Sequence, residues 1–340
     1  MRIARFIVVV VLAATVATPA FAGNPARMGT AGAQELRIPV SARGIALGDG
    51  IVADVSGVEA LYYNPAGIAA GGGMQVYLSH LEYIADMDKN YVAAVTKTAY
   101  GTVGVSVDVL SIGDIEETTE ERPDGTGRIF SPNFTAVGLS YARFLTDAVS
   151  AGGTVKLISE KILQESATGV AFDVGVQYRP GWKSLRLGFL LKNFGPEMKF
   201  EGDDFDSFHS TNDNPSASER SLGTESAKFE LPSTFQIAAA YSVYQQGQNR
   251  VDGFGNFVNN NFGSDRWQLG AEYSYGTRFA VRAGFLTSED DDFIYSNSFS
   301  FGFGLGIPLS PTRIMQIDYG YRTVDEFFED SQVFSLTFNL

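Results

Sequence analysis

The 340-residue sequence contains no cysteine, only two histidines, and fewer basic than acidic residues. The lack of cysteine excludes disulfides, thiolate metal sites and cysteine nucleophiles. With 25 Lys and Arg against 39 Asp and Glu, the formal net charge is −14. Nucleic acid binding needs a basic face for the phosphates, so no nucleic acid partner is expected. His80 and His209 lack partners at the spacing of a metal site or a catalytic triad.

The sequence also lacks the short motifs that carry common enzyme chemistry. It contains no G-x-S-x-G, no H-E-x-x-H, no P-loop and no EF-hand spacing. A Gly-x-Gly repeat at 302–306 lies inside a predicted strand, with no helix after it, and indicates a thin section of a sheet rather than a phosphate-binding loop. We therefore predict no enzymatic activity, no cofactor and no metal site.

After the first residues, the chain has no apolar run long enough for a transmembrane helix, which needs about 20 residues. The start itself combines two arginines, an apolar core over 6–16 and the small-x-small sequence Ala20-Phe21-Ala22. This pattern predicts a signal peptide over 1–22 that is cleaved before Gly23. The protein is therefore exported, and it is then either released or built into a membrane as strands.

From Met74 onward, apolar and polar residues alternate with the period of two that a β-strand imposes, for example over 103–109, 170–178 and 299–307. Many apolar faces end in an aromatic residue, as at Tyr141, and such girdles mark transmembrane barrels. The opposite face carries charges of both signs, which a dry sandwich could not bury but a polar lumen accepts. These charged residues are Asp108, Lys156, Asp173, Arg186, Lys192, Glu272, Arg282, Asp318 and Arg322.

Segments of about 10 residues, the length of tilted membrane strands, number about 14, and bacterial barrels use even numbers. Short turns alternate with longer connections, notably 113–133 and 194–231, as expected when both termini are periplasmic and the long loops are external. We therefore predict an all-β, antiparallel transmembrane barrel over 73–340. Its strands lie near 74–84, 89–98, 102–112, 134–145, 148–162, 168–179, 183–193, 232–244, 250–258, 266–276, 278–288, 295–307, 312–323 and 331–340.

One long segment of the mature chain, 29–70, does not alternate, and it is rich in Gly and Ala. It closes with Asn64, Pro65, Ala66 and Gly67, which predict a rigid turn because Pro fixes φ while Asn and Gly tolerate a left-handed backbone. A compact segment followed only by strands indicates a plug inside the barrel, over 23–72. The alternative is an ordinary N-terminal cap, since barrels hold either.

Three stretches of this segment, GTAGAQ at 29–34, SARGIALG at 41–48 and ALYYNPAG at 60–67, resemble the opening of the PorV/PorQ family of FadL-type outer-membrane barrels. The resemblance implies a barrel whose N-terminal segment is a lumenal hatch. In the PorV branch it implies type IX secretion, in which C-terminal signal domains of secreted proteins are captured and handed to a surface attachment complex. In the FadL branch it implies passage of hydrophobic small molecules such as long-chain fatty acids.

The lumen predicted from strand parity is polar, and this favours the protein-handling branch over the transporter. The long external loops then offer candidate anchors for a cargo domain, because buried aromatic rings dominate interfaces. These candidates are Phe200, Phe205, Phe208 and Phe229. The alternative is that the rings pack the loops onto the barrel rim. The remaining expected partners are outer-membrane lipid and lipopolysaccharide.

The mature chain is expected to fractionate with the bacterial outer membrane and to migrate faster on gels when it is not boiled, because a barrel resists unfolding by detergent. Cell fractionation with boiled and unboiled samples measures both properties. A soluble periplasmic pool without a heat-modifiable band would contradict the barrel.

Overall fold

The computed structural model describes residues 23, 25–202, 205–209, 220–289, 294–310, 313–324 and 328–340. The predicted signal peptide over 1–22 lies outside these residues. Within the described part of the chain, no helix is both long and apolar enough to cross a membrane.

Fourteen long antiparallel strands make up most of the chain. They are β1 (Gln75–Glu82), β2 (Asp88–Thr98), β3 (Gly101–Ser111), β4 (Asn133–Phe144), β5 (Val149–Ile162), β6 (Glu165–Tyr178), β7 (Arg186–Phe194), β8 (Thr234–Gln246), β9 (Asn249–Asn260), β10 (Arg266–Tyr275), β11 (Phe279–Ser288), β12 (Ser298–Ser310), β13 (Arg313–Arg322) and β14 (Ser331–Asn339).

Each strand pairs with its neighbours in sequence, and β14 pairs with β1, so the sheet closes on itself. The closing register runs from Gln75 opposite Asn339 to Glu82 opposite Gln332. Both ends of the barrel segment therefore lie at the end of the barrel that carries the short turns. The prediction of a closed, all-β barrel of about 14 strands is confirmed.

The long connections lie at the other end, which we call the loop end. Within them, short strands pair Ile115–Glu116 with Ile129–Phe130 and Asp206–His209 with Arg220–Gly223. A third short strand, Phe200–Glu201, adds to the end of β6. These pairs give the loops some regular backbone without extending the barrel wall.

The two faces of the wall differ as the alternation predicts. Outward residues such as Leu139, Leu157 and Phe301 are more than half exposed, at 63%, 60% and 53%, and they form an apolar outer surface. Inward residues such as Asp173, Arg282 and Arg322 are buried. An apolar outside with a polar inside is the pattern of a barrel that faces lipid.

The segment before β1 lies inside the barrel as a plug of short helical turns rather than as an external cap. Its α-helices are Ala42–Ala46 and Ala60–Tyr63. Its 3₁₀-helices are Pro25–Arg27, Gln34–Arg37, Gly50–Ala53, Gly57–Glu59 and Pro65–Ala70. Ser41 begins the first α-helix because its hydroxyl accepts a hydrogen bond from the amide of Gly44 at 3.0 Å.

Plug and wall share one apolar core. Leu47, Ile51 and Val55 of the plug are fully buried, and they belong to a cluster that includes Tyr91 and Leu190 of the wall. Burial of this kind contributes roughly 1.5–3 kcal/mol for each large side chain. The plug is therefore the hydrophobic core of the barrel and not a loosely held insert.

Glycines in β10–β13 let the plug backbone lie directly on the wall. A Cβ atom added at Gly284 would lie 2.2 Å from the amide nitrogen of Gly48, a separation that no real side chain tolerates. The same crowding against the plug holds at three neighbouring positions, Gly270, Gly302 and Gly320. The Gly-x-Gly repeat at 302–306 thus begins with a residue that makes room for the plug.

Candidate functional site

A cavity of about 770 Å³ lies between the plug and the loop end of the barrel. The plug contributes one side of it through the segment 28–39, together with Tyr62 and Tyr63. The surrounding side chains are mostly apolar, and they come from loops and from the parts of the strands nearest the loop end. They include Tyr83, Met87, Leu110, Ile112, Phe134, Ile162, Val258, Phe262, Leu286 and Tyr295.

The plug side of the cavity is fixed by one buried lysine. Lys89 of β2 donates hydrogen bonds to the carbonyl oxygens of Glu35 and Ile38, at 2.8 and 2.7 Å, and pairs with Asp108 at 3.0 Å. The hydroxyl of Tyr62 also donates to the carbonyl of Ile38, at 2.8 Å. Hydrogen bonds from a charged donor contribute about 1.5–3 kcal/mol each, so this contact holds the segment firmly.

Two of the four predicted partner-binding phenylalanines face this cavity. The rings of Phe200 and Phe229 lie 5.7 Å apart, and both pack against the buried cluster that contains Leu36 and Met198. Phe205 lies in the same loop, half-buried, and the side chain of Phe208 lies outside the described residues. Phe200 and Phe229 thus pack the loop onto the plug, and their role as anchors for a partner stays a prediction.

A second lysine stands on the cavity floor without a carboxylate partner. The ammonium of Lys192 lies 3.2 Å from the centre of the Tyr62 ring, and no ion pair or hydrogen bond is formed by it within the described part of the chain. Strand alternation turns Lys192 inward, and a bulge turns the next residue inward as well, because Asn193 has a φ of 58° and donates its amide to Asp173 at 2.8 Å. Lys192 and Asn193 are both buried as a result.

A carboxyl pair also lines the cavity. Glu35 of the plug lies against Glu160 of β5, both residues are buried, and the Glu35 Oε1 atom has no hydrogen-bond partner. Burial, and then the negative charge of Glu160, raise the pKa of Glu35 to about 8. Glu35 is therefore mostly protonated at neutral pH.

The predicted turn residues lie elsewhere. Asn64 is extended, with a φ of −161°, and its side chain accepts from the amide of Ala66 at 3.2 Å, which starts the Pro65–Ala70 helix. Gly67 does not have a positive φ; instead, an added Cβ would lie 2.2 Å from the carbonyl oxygen of Val55. The turn packs against β5 and β6 and contributes nothing to the cavity lining.

Near the turn end, a second cavity of about 610 Å³ is lined mostly by polar side chains. Its charges are paired across the plug boundary, where Arg186 contacts Asp54 at 2.9 Å and Asp252 at 3.0 Å. Arg43 of the plug pairs in turn with Glu272 at 3.1 Å. The lumen thus contains a mostly apolar chamber at the loop end, whose lining also includes charged residues such as Lys192 and Arg322, and a largely polar one at the turn end.

The sequence predicts which charged residues point into the lumen. It does not show which of the two chambers each of them lines. Strand parity places Lys192 in the lumen, yet it cannot show that Arg186 and Arg282 have carboxylate partners while Lys192 forms no ion pair with any residue that the structure describes. The Glu35–Glu160 pair was missed because it joins two segments 125 residues apart in sequence.

No family model matches the sequence, and no curated protein matches it. Among solved structures, the toluene transporter TodX of Pseudomonas putida superposes with a TM-score of 0.58 at 11% identity, over 88% of this chain and 96% of that one. A FadL homologue of Pseudomonas aeruginosa gives 0.53 at 12% identity, over 88% and 98%. At such identities the similarity shows the fold alone, which is that of a FadL-type barrel with a plug.

Replacing Gly67 with Ala is expected to loosen the plug, because the new methyl group would meet the Val55 carbonyl. The expected cost is roughly 1–3 kcal/mol, as for other overpacked sites. The measurement is the temperature at which the heat-modifiable band is lost, combined with conductance in planar bilayers. Gly72→Ala is the matched control, since an added Cβ there meets nothing within 4 Å. Equal behaviour of the two variants would show that this turn does not hold the plug.

The barrel is expected to lose stability as the pH rises from about 4.5 to about 8, the interval between the ordinary and the raised pKa of Glu35. The folded state retains the Glu35 proton through this interval while the unfolded chain releases it, so rising pH favours unfolding. The thermal midpoint measured across this range should fall by several degrees. Glu35→Gln should flatten the profile, whereas Glu82→Gln, at an exposed carboxylate, should leave it unchanged.

Proposed function

We propose that this protein is an outer-membrane channel for hydrophobic small molecules. The observation that carries the proposal is the largely apolar chamber at the loop end, which is closed towards the other end by the plug. Ligand sites of proteins are concave and mostly apolar, with a few placed polar groups, and this chamber has that character. The apolar outer surface of the barrel provides the membrane location, since it suits contact with lipid.

Plug contacts argue against an open aqueous pore. Ion pairs such as Arg43–Glu272 and Arg322–Asp49, at 3.1 and 2.7 Å, bind the plug to the wall at several heights. A molecule therefore enters by leaving water for an apolar chamber, and this step selects hydrophobic compounds. TodX is a toluene transporter and a monoaromatic hydrocarbon channel, and its likeness in fold supports this proposal by analogy.

The resemblance to the PorV/PorQ family implies a role in type IX secretion for this protein, and that role stays a prediction. The polar lumen was the reason to prefer it, and the structure weakens that reason. Among the inward cations named from the sequence, Arg186 and Arg282 are neutralised by neighbouring carboxylates, and the chamber at the loop end is mostly apolar. Capture of cargo domains and contact with an attachment complex have no dedicated surface among the contacts described above.

Filling the chamber is expected to abolish most ligand binding. Leu286 is 2% exposed and lines the chamber, so Leu286→Trp should lower the affinity for a long-chain fatty acid or an aromatic hydrocarbon by roughly tenfold or more, which is about 1.4 kcal/mol. Calorimetry on the purified barrel in detergent provides the measurement. Leu269→Trp is the matched control, because Leu269 lies on the neighbouring strand and faces outward.

Undiminished binding by the Leu286→Trp barrel would contradict the chamber as the ligand site. Loss of uptake in cells that lack the gene, with secretion unchanged, would support the channel in vivo. Retention of secreted cargo in those cells, with uptake unchanged, would favour the secretion role instead.

The Lys192 ammonium is expected to determine which ligands bind most tightly. A carboxylate reaching the chamber floor would gain a charge-assisted hydrogen bond, and such bonds contribute about 1.5–3 kcal/mol. Lys192→Met should therefore weaken binding of a fatty acid by roughly tenfold to a hundredfold and leave an uncharged aromatic hydrocarbon unaffected. Equal weakening of both ligands would show that Lys192 acts only by supporting the fold.

A further inference from the structure

Gly23, the first described residue, lies at the loop end of the barrel. The plug joins β1 at the opposite end, which carries the short turns. The backbone nitrogen of Gly23 donates to Oδ2 of Asp265 at 3.2 Å. Asp265 is 6% exposed and closes the loop between β9 and β10. Its Oδ1 atom accepts from the Asn259 side chain at 2.8 Å and from the Asn260 amide at 3.3 Å.

The site around Gly23 is tight enough to fix the residue in place. A Cβ atom added to Gly23 would lie 2.8 Å from both the Asp265 carboxylate and the carbonyl oxygen of Gly263. Only glycine therefore fits between the carboxylate and the loop backbone. The residue fills this space at the boundary where the sequence predicts signal-peptide cleavage, immediately after Ala22.

A second contact holds the same loop four residues further along. The guanidinium of Arg27 lies 4.1 Å above the ring of Phe262, donates to Asn261 at 3.3 Å, and forms an ion pair with Glu230. Gly23 and Arg27 thus contact the two ends of the loop between β9 and β10. The segment that follows, 28–39, forms the plug side of the chamber, so its position depends on this anchor.

We propose that signal-peptide cleavage creates an ion pair between the new α-ammonium group of Gly23 and the buried carboxylate of Asp265, and that this pair sets the final shape of the chamber. Hydrolysis of the Ala22–Gly23 peptide bond consumes one water molecule. Its oxygen joins the Ala22 carboxylate, and the peptide nitrogen becomes the amino group of Gly23, protonated at neutral pH.

Charge explains why the uncleaved chain cannot make the same contact. In the precursor, the Gly23 nitrogen is a neutral amide with a single hydrogen, and it can give Asp265 only an ordinary hydrogen bond. In the mature chain it carries a positive charge and three donors. Hydrogen bonds between ionised groups are shorter and roughly twice as strong as neutral ones, and a buried carboxylate is stabilised by a positive charge beside it.

The first test measures how fast the α-amine reacts in the folded barrel. Reductive dimethylation at pH 7.5, followed by mass spectrometry of the tryptic peptide 23–27, reports the fraction of amine that is modified. An ammonium paired with Asp265 has a pKa above the ordinary 7.7–8.0, and each unit lowers the reactive fraction about tenfold. The folded wild type should therefore react about tenfold more slowly than Asp265→Asn, and Asp114→Asn, at an exposed carboxylate, should react like wild type.

The second test separates the ion pair from general damage at Asp265. Four refolded chains are compared, with or without one extra alanine before Gly23, and with Asp or Asn at position 265. The extension turns the Gly23 nitrogen back into an amide, so it should lower the thermal midpoint only in the chains that keep Asp265.

Equal dimethylation rates in wild type and Asp265→Asn would overturn the proposal. So would a mature chain that begins at any residue other than Gly23. If Asp265→Asn does not fold, the extended chain with Asp265 decides the matter, since an extension that leaves the midpoint unchanged contradicts the ion pair.

Discussion

A closed sheet of 14 strands encloses more space than its own inward side chains can fill, and the rest of the structure follows from this constraint. Barrels of about eight strands are just filled by their side chains, and larger ones hold water, a ligand or other chain segments. Here the plug supplies the missing volume and the core. Its helices are short, and they are stable because Leu47, Ile51 and Val55 are buried against the wall.

Filling a polar lumen with a plug creates a second requirement, since every charge removed from water needs a partner. The plug and wall jointly satisfy it for several buried groups, because Asp49 accepts from both Arg322 and Tyr63 while Arg43 links Glu59 to Glu272. Asp49, Tyr63 and Arg322 line the chamber at the loop end, whereas Arg43 and Glu272 line the cavity at the turn end. The charges thus hold the plug against the wall, and a mostly apolar volume remains between the plug and the loop end.

The period of two made the barrel predictable, because each strand reports its lipid and lumen faces directly in its sequence. The strand that alternates least, around Val251–Asn256, still lies in the barrel, since pairing on both sides overrides its weak pattern. Long-range contacts were not predictable. The bulge that turns Asn193 inward depends on Asp173 of the neighbouring strand, and the reason for Gly67 is the distant Val55 carbonyl rather than its own φ.

The seam between β1 and β14 has a kinetic consequence. It pairs Gln75 with Asn339, residues 264 apart in sequence, so it must bring together the two ends of the barrel segment. Contacts of such high sequence separation make folding slow. The plug is joined directly to β1, which forms one side of that seam, and the closed wall surrounds the plug. Once β1 and β14 have paired, the plug cannot leave as a folded body, because its contacts with opposite sides of the wall would all have to break together.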